Sequence, residues 1–282
     1  MASIEPFQAA RPRLVSIAYR MLGSTSDAED AVQEAWLRWQ DSDESTIDNP
    51  EAWLSAVVSR LCLDKLKALR VRRETYSGPW LPEPVVSERP VDRESISLAF
   101  MVVLERLSPS ERAVYLLHRV FDYKHREIAH ALQMSEAAVR QAFHRAEQHI
   151  AEHKPRFAPS TEDHQRLLSA FGAALVGGDL QALTQLLAKD AALYADGGGK
   201  VQAAPAPILG GERVAAFLHG LLHAFSSPRQ TYEVRPVNGW PTLVGRLDGT
   251  VNAIISIETD GQRIRAIHNV RNPEKLGLFA VN

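Results

Sequence analysis

The chain has 282 residues, 45% hydrophobic and 23% charged with a net charge of −2, which excludes a disordered, collagenous or coiled-coil protein and predicts two or three compact domains. No stretch reaches the roughly 20 apolar residues of a membrane span, and the opening MASIEPFQAARPR lacks the apolar run of a secretory signal, so a cytoplasmic protein that stays out of the membrane is expected. The single cysteine, Cys62, excludes an internal disulfide and a thiolate metal cluster, and its place among Trp53, Leu54, Val57, Val58 and Leu61 predicts a buried thiol.

The segment up to residue 75 reads as helix, and its charge is segregated. Residues 27–51 hold nine acids against Arg38 alone, whereas residues 60–73 hold Arg60, Lys65, Lys67, Arg70, Arg72 and Arg73 against Asp64. Ser26 and Glu29 have the spacing of a capping box, after which Ala28, Val32, Ala35, Trp36 and Trp39 recur at helical spacing with acids on the other face. Asn49-Pro50-Glu51 sets a cap before a first-turn proline. That helix turns Leu54, Val57, Val58, Leu61 and Leu69 inward and shows Arg60, Asp64 and Lys67 on its other side. A basic stripe of this kind tracks phosphate, and two neighbouring segments of opposite sign predict two different partners. Because the whole chain is slightly acidic, DNA binding is expected inside a larger assembly.

Residues 77–92, SGPWLPEPVVSERPVD, form a linker in which Pro79, Pro82, Pro84 and Pro90 forbid a helix interior. Trp80 and Leu81 are out of place in a solvated spacer and predict docking on another surface.

Helix resumes over 93–153. Ser108-Pro109-Ser110-Glu111 is a second capping box opening a helix through Val114, Leu117 and Val120. A short helix over 124–132, a break at Gln133-Met134 and a last helix capped by Ser135 follow. The last helix buries Val139, Phe143, Ala146 and Ile150 and presents Arg140, Gln141, His144, Arg145 and Gln148. The bland reading is a plain helical hairpin; the basic outer face favours a DNA-reading helix-turn-helix, although its turn lacks the usual glycine.

Beyond Lys154-Pro155 the pattern changes. Helices within 162–188 and near 212–225 accompany strand-like stretches over 191–195, 231–237, 243–247, 251–257 and 263–270, with hairpin signals at Asp248-Gly249 and Asp260-Gly261. The expected fold is α+β with an antiparallel sheet. Asp196-Gly197-Gly198-Gly199-Lys200 reads as a loop whose glycines permit positive φ; it lacks the GxxxxGK[ST] pattern of a phosphate cradle.

Several of these segments resemble a known family. Ala18-Tyr19-Arg20-Met21-Leu22-Gly23, then Asp27-Ala28-Glu29-Asp30 and Gln33-Glu34 ahead of Trp36-Leu37, resemble region 2 of an extracytoplasmic-function (ECF) sigma factor. Leu107-Ser108-Pro109 with Glu111-Arg112, Glu127-Ile128-Ala129, and Val139-Arg140-Gln141 with His144-Arg145-Ala146 resemble its region 4. Trp80-Leu81-Pro82-Glu83-Pro84, Asp196-Gly197-Gly198-Gly199-Lys200 and Asn272-Pro273-Glu274-Lys275-Leu276 resemble the signatures of the SigJ-like subgroup, which carries a fused C-terminal SnoaL-like domain.

The resemblance implies two all-α modules followed by a cone-shaped α+β domain related to ketosteroid isomerase. The implied divisions are region 2 over 1–76, the linker over 77–92, region 4 over 93–155 and the SnoaL-like domain over 156–282. Asp27, Glu29, Asp30, Gln33, Glu34, Trp36 and Leu37 would meet the β′ clamp helices of core RNA polymerase, and region 4 its β flap. Arg60, Asp64, Lys65, Lys67, Arg70, Arg72 and Arg73 would face the promoter −10 element, with loop 43–50 placed for a flipped base. Ser135, Arg140, Gln141, His144 and Arg145 would face the −35 element in the major groove. No catalytic residue, metal or cofactor is implied.

For the third unit two readings compete. As an enzyme it would use Asp196 and His268 as acid and base in an apolar pocket. As a regulatory module it would pack the 196–200 loop and the 272–276 segment on Trp80 and Leu81, controlling the sigma modules in cis; this is the favoured reading because its signatures pair with one in the linker. An unidentified small ligand in the C-terminal pocket stays open, and a free-standing helix-turn-helix factor is disfavoured because no dimer seam is visible.

Overall fold

A computed structural model describes residues 2–86, 97–153, 160–225 and 230–279. The chain divides into two compact units, Met1–Thr75 with Met101–His153, and Tyr76–Phe100 with Lys154–Asn282. Linker residues 87–92 and the Lys154-Pro155 junction lie outside the described residues, as does the side chain of Arg72.

The first unit is helical: α1 (Glu5–Leu22), α2 (Thr25–Gln40), α3 (Pro50–Glu74), the greater part of α4 (Leu98–Leu104), α5 (Pro109–Arg119), α6 (His125–Leu132) and α7 (Glu136–His153). Gly23 ends α1 in the left-handed region at φ 71°, donating to the Tyr19 carbonyl, and this reversal leaves Ser24 extended. Ser24, not the expected Ser26, therefore caps α2, accepting from the Asp27 amide. Both serines stand three residues before an acid, so the pattern was legible in two frames and the end of α1 selected the earlier.

Leu14, Ile17, Met21, Val32, Trp39, Leu54, Val58 and Cys62 fill the core of α1–α3. Each large apolar side chain there contributes about 1.5–3 kcal/mol. Burial pushes the Cys62 thiol far above its ordinary value, which fits the expected inert role. Leu69, expected inward, is only half-buried.

The second capping box forms as expected, Ser108 and Glu111 bonding each other's backbone at the start of α5. Between α6 and α7, Gln133 adopts φ 54°, taking the left-handed position for which a glycine was missing, and Met134 donates to the Ala129 carbonyl. Ser135 then caps α7 through the Ala138 amide at 3.1 Å. Helix α3 packs on α5 and α6 as well as on α1 and α2.

The second unit comprises α8 (Thr161–Gly177), α9 (Leu180–Leu186), β1 (Leu187–Asp196), β2 (Ile208–Leu209), α10 (Gly211–Phe225), β3 (Gln230–Val237), β4 (Trp240–Leu247), β5 (Thr250–Thr259) and β6 (Ile264–Val270). The strand order is β2-β1-β6-β5-β4-β3. The sheet is mixed rather than antiparallel, because β1 and β6 run parallel. After α10 the chain re-enters at the far edge as β3, and successive hairpins fold it back until β6 reaches β1 in the same direction. The helices expected within 162–188 are two, α8 and α9, and end at Leu186; a register irregularity lies between Leu187 and Ala192, and β1 starts earlier than the alternation indicated. Leu168, Phe171, Leu183, Val214, Leu243, Ile255, Ile257 and Ile267 form the core between the helices and one face of the sheet.

Linker residues 76–86 belong to this unit. Val86 bridges Val237, and Val85 exchanges bonds with Asn238, its amide donating to Oδ1 at 3.1 Å and its carbonyl accepting from the Asn238 amide at 2.8 Å. Asn238 stands at φ 53° in the β3–β4 turn, so the hairpin and the linker share this residue.

Candidate functional site

On α2 the buried face, Ala28, Ala31, Val32, Ala35 and Trp39, leaves Glu29, Asp30, Gln33, Glu34 and Leu37 exposed on the other. Leu37 is 50% exposed among these acids, an apolar contact point on an acidic surface. Trp36 stacks on Phe7, with ring centroids 4.8 Å apart. Glu29 pairs with Arg11 at 2.6 Å and Glu34 with Arg38 at 3.0 Å, all four side chains about half exposed, so these pairs are screened and open to exchange.

The basic stripe on α3 does not stand together on one free face. Lys65 reaches back to α2, pairing with Asp27 at 2.7 Å and Asp30 at 3.2 Å. Arg60 donates to the Ala131 carbonyl at 3.1 Å, and Arg73 donates to the Leu22 carbonyl at 2.8 Å while pairing with Glu105. Exposed are Asp64 with its partner Lys67, and Arg70. In the loop before α3, exposed Asp43 accepts from the Ser45 amide and hydroxyl, which fixes a short 3-10 turn.

On α7, Arg140, Gln141 and His144 are exposed on one side, Arg140 paired with Glu136 at 2.6 Å and His144 with Gln148 at 3.1 Å. Arg145 binds Glu111 at 2.9 Å and so anchors the recognition helix on the capping box of α5.

The segments expected to act in control meet at one carboxylate. Asp196, at the end of β1, is completely buried. Its Oδ1 accepts from the Tyr76 hydroxyl at 2.7 Å and the Gly198 amide at 3.0 Å; its Oδ2 accepts from the Leu81 amide at 2.9 Å and Lys275 Nζ at 2.7 Å. Lys275 also donates to the Leu81 carbonyl at 2.6 Å, and its ammonium lies 4.1 Å from the Trp80 ring centroid and 5.2 Å from that of Tyr76. Asn272 Nδ2 donates to the Tyr76 hydroxyl at 3.0 Å, and its Oδ1 caps the turn at Pro273–Lys275.

The glycine run is required by this crowding. A Cβ on Gly198, at φ +61°, would stand 2.3 Å from the Asn272 amide nitrogen, and one on Gly197 would stand 2.4 Å from the Val201 carbonyl. Lys200 pairs with Glu274 at 3.2 Å on the outside. Leu81, Pro82, Glu83, Pro84 and Leu276 are buried.

The structure thus joins all three sequence signatures, and adds Tyr76 and Asn238, which sequence reasoning missed. Tyr76 directly precedes the Ser77-Gly78-Pro79 break, and Asn238-Gly239 is a hairpin dipeptide, so both carried a readable signal. Burial, followed by the bond to Asp196, pushes the Tyr76 hydroxyl well above its ordinary value and keeps it a donor. The pair considered for proton transfer is not joined: His268 Nε2 binds Glu258 at 2.7 Å and its ring stacks on Tyr194, while Asp196 has separate partners.

Sequence and structural comparisons agree with this geometry. Sigma-70 region 2 matches residues 7–72, and Sigma-70, region 4 matches residues 97–150. The ECF RNA polymerase sigma factor SigJ of Mycobacterium tuberculosis is 41% identical over 232 residues, covering 79% of this chain and 74% of that protein. The probable ECF RNA polymerase sigma factor SigI of the same species is 31% identical over 289 aligned positions, covering 98% of this chain and 97% of that one. The crystal structure of M. tuberculosis SigJ superposes with a TM-score of 0.77 at 35% identity, covering 97% of this chain and 98% of that one. The chain belongs to the ECF sigma factors, transcription initiation factors that bind core RNA polymerase and promoter DNA, and it carries a C-terminal helix-plus-sheet domain.

Proposed function

We propose that the C-terminal domain controls initiation in cis by gripping the segment that joins regions 2 and 4, acting as a built-in regulator and not as an enzyme. The observation that carries this reading is the saturation of Asp196: four donors surround its carboxylate, two of them from the segment leaving region 2, the Tyr76 hydroxyl at its edge and the Leu81 amide in the linker. A carboxylate so enclosed has no open lone pair for a substrate proton. The grip fixes where linker residues 76–86 sit, and tethering lets modest contacts hold it without a separate inhibitor.

In this reading the exposed face of α2, with Glu29, Asp30, Gln33, Glu34 and Leu37, docks on the polymerase clamp. Lys67 and Arg70 make the first −10 phosphate contacts, and Arg140, Gln141 and His144 address the −35 element. The domain divisions at 76, 92 and 155 and a cytoplasmic site of action belong to the same proposal.

Run-off transcription with core polymerase tests it, comparing the full chain with one ending at residue 155 on a promoter library. A change in output at equal core binding supports control in cis. Equal output from both forms refutes it.

A further inference from the structure

Within the first unit, regions 2 and 4 pack directly on each other, and arginines make the junction. Arg112 of α5, 2% exposed, donates twice to the Arg20 carbonyl at the end of α1 and pairs with Glu105. Arg73 of α3 pairs with the other oxygen of Glu105 and bonds the neighbouring Leu22 carbonyl. At the other side Arg60 holds the Ala131 carbonyl of α6, and Arg13 of α1 holds the Phe121 carbonyl while lying over the Phe121 and Tyr123 rings. One carboxylate, Glu105, is therefore the counter-charge for two largely buried guanidiniums from opposite modules.

This packing conflicts with promoter reading. The −10 and −35 elements are roughly 25 base pairs apart, about 85 Å at 3.4 Å per base pair. Modules whose Arg60 touches Ala131, in the last turn of the helix before the recognition turn, cannot span that distance. Arg60 and Arg73 are also two of the six cations of the α3 stripe.

We propose that Glu105 latches regions 2 and 4 in a closed resting state, and that Arg60 and Arg73 serve twice: as clasp when closed, and as DNA contacts once polymerase opens the pair. The inference rests on the sigma reading and adds the latch. Of the two pairs only Arg73–Glu105 crosses the junction, so neutralising Glu105 removes an ion pair that the closed form alone can make and tilts the equilibrium toward the open one.

The test uses the full chain with donor and acceptor dyes at Gln8→Cys on α1 and Glu152→Cys on α7, both exposed; the native Cys62 is buried and stays unlabelled. Adding core polymerase should lengthen the dye distance. Glu105→Gln should lengthen it in the free chain and tighten apparent core affinity about tenfold, a tilt of about 1.4 kcal/mol. Arg13→Gln, at the far side of the junction, should shift both readouts the same way by less, and it decides the matter if Glu105→Gln fails to fold. Core binding without a change in distance, or a folded variant with distance and affinity unchanged, overturns the latch. If the unsubstituted chain does not bind core, the sigma reading falls, while the free-chain distances still decide on the latch.

Discussion

The acidic face of α2 and the carboxylate of Asp196 carry the same kind of charge in opposite circumstances. On α2, Glu29 and Glu34 are half exposed and paired with equally exposed arginines. Asp196 is wholly buried, its two oxygens fully occupied. Exposed pairs contribute about 0–1 kcal/mol each and exchange partners readily, whereas a buried, hydrogen-bonded pair is costly to break. Under the proposed function the contrast matches the roles: α2 would offer charge to another molecule, while Asp196 holds together residues of its own unit.

The comparison can be broken most directly at Asp196. Asp196→Ala leaves Lys275, Tyr76 and the Leu81 amide without their acceptor, so the C-terminal unit should lose about 3–5 kcal/mol in denaturant unfolding, with faster proteolysis near Trp80. A loss below about 1 kcal/mol would place the carboxylate in the same class as the α2 acids. Trp80→Ala removes the ring beneath the Lys275 ammonium and should cost about 1–2 kcal/mol in the same assay. It should also change promoter output while leaving core affinity intact.

The other side of the comparison predicts the reverse pattern. Leu37→Ser with Glu34→Gln should weaken core binding about tenfold, measured by fluorescence anisotropy, and change stability by no more than about 0.5 kcal/mol.

A smaller effect follows from a buried imidazole. His164, on α8, donates from Nε2 to the Pro241 carbonyl at 3.0 Å, and burial holds its pKa below the ordinary value. Below about pH 6.5 the unfolded chain takes up a proton that the folded one resists. This contribution is complete above pH 6.5 and is lost as pH falls through the folded-state value. Thermal melts of the C-terminal unit should drop over that window, and His164→Gln should flatten the slope.

Much of this was legible in sequence because it is local. The Ser108–Glu111 capping box, the proline at Pro50 and Pro109, the helical spacing of Val139 and Ala146, and the Asp248-Gly249 turn each depend on residues within a few positions. What escaped depends on distant neighbours. The parallel pairing of β1 with β6 follows from where α10 returns the chain, which no local alternation encodes. The internal bonds of Arg60 and Arg73 are invisible to a charge count, since a basic stripe looks the same whether it faces solvent or a carbonyl. The cluster around Asp196 was half readable: its three segments were picked out by their resemblance to a family's signatures, but Tyr76 needed the fold to bring it to Asp196.

The most direct measurement is run-off transcription by the full chain and by an Asp196→Asn/Lys275→Met double variant, which removes the grip without leaving a lone buried charge. The account predicts equal core binding and a several-fold difference in promoter output. Equal core binding with equal output would contradict control through the linker.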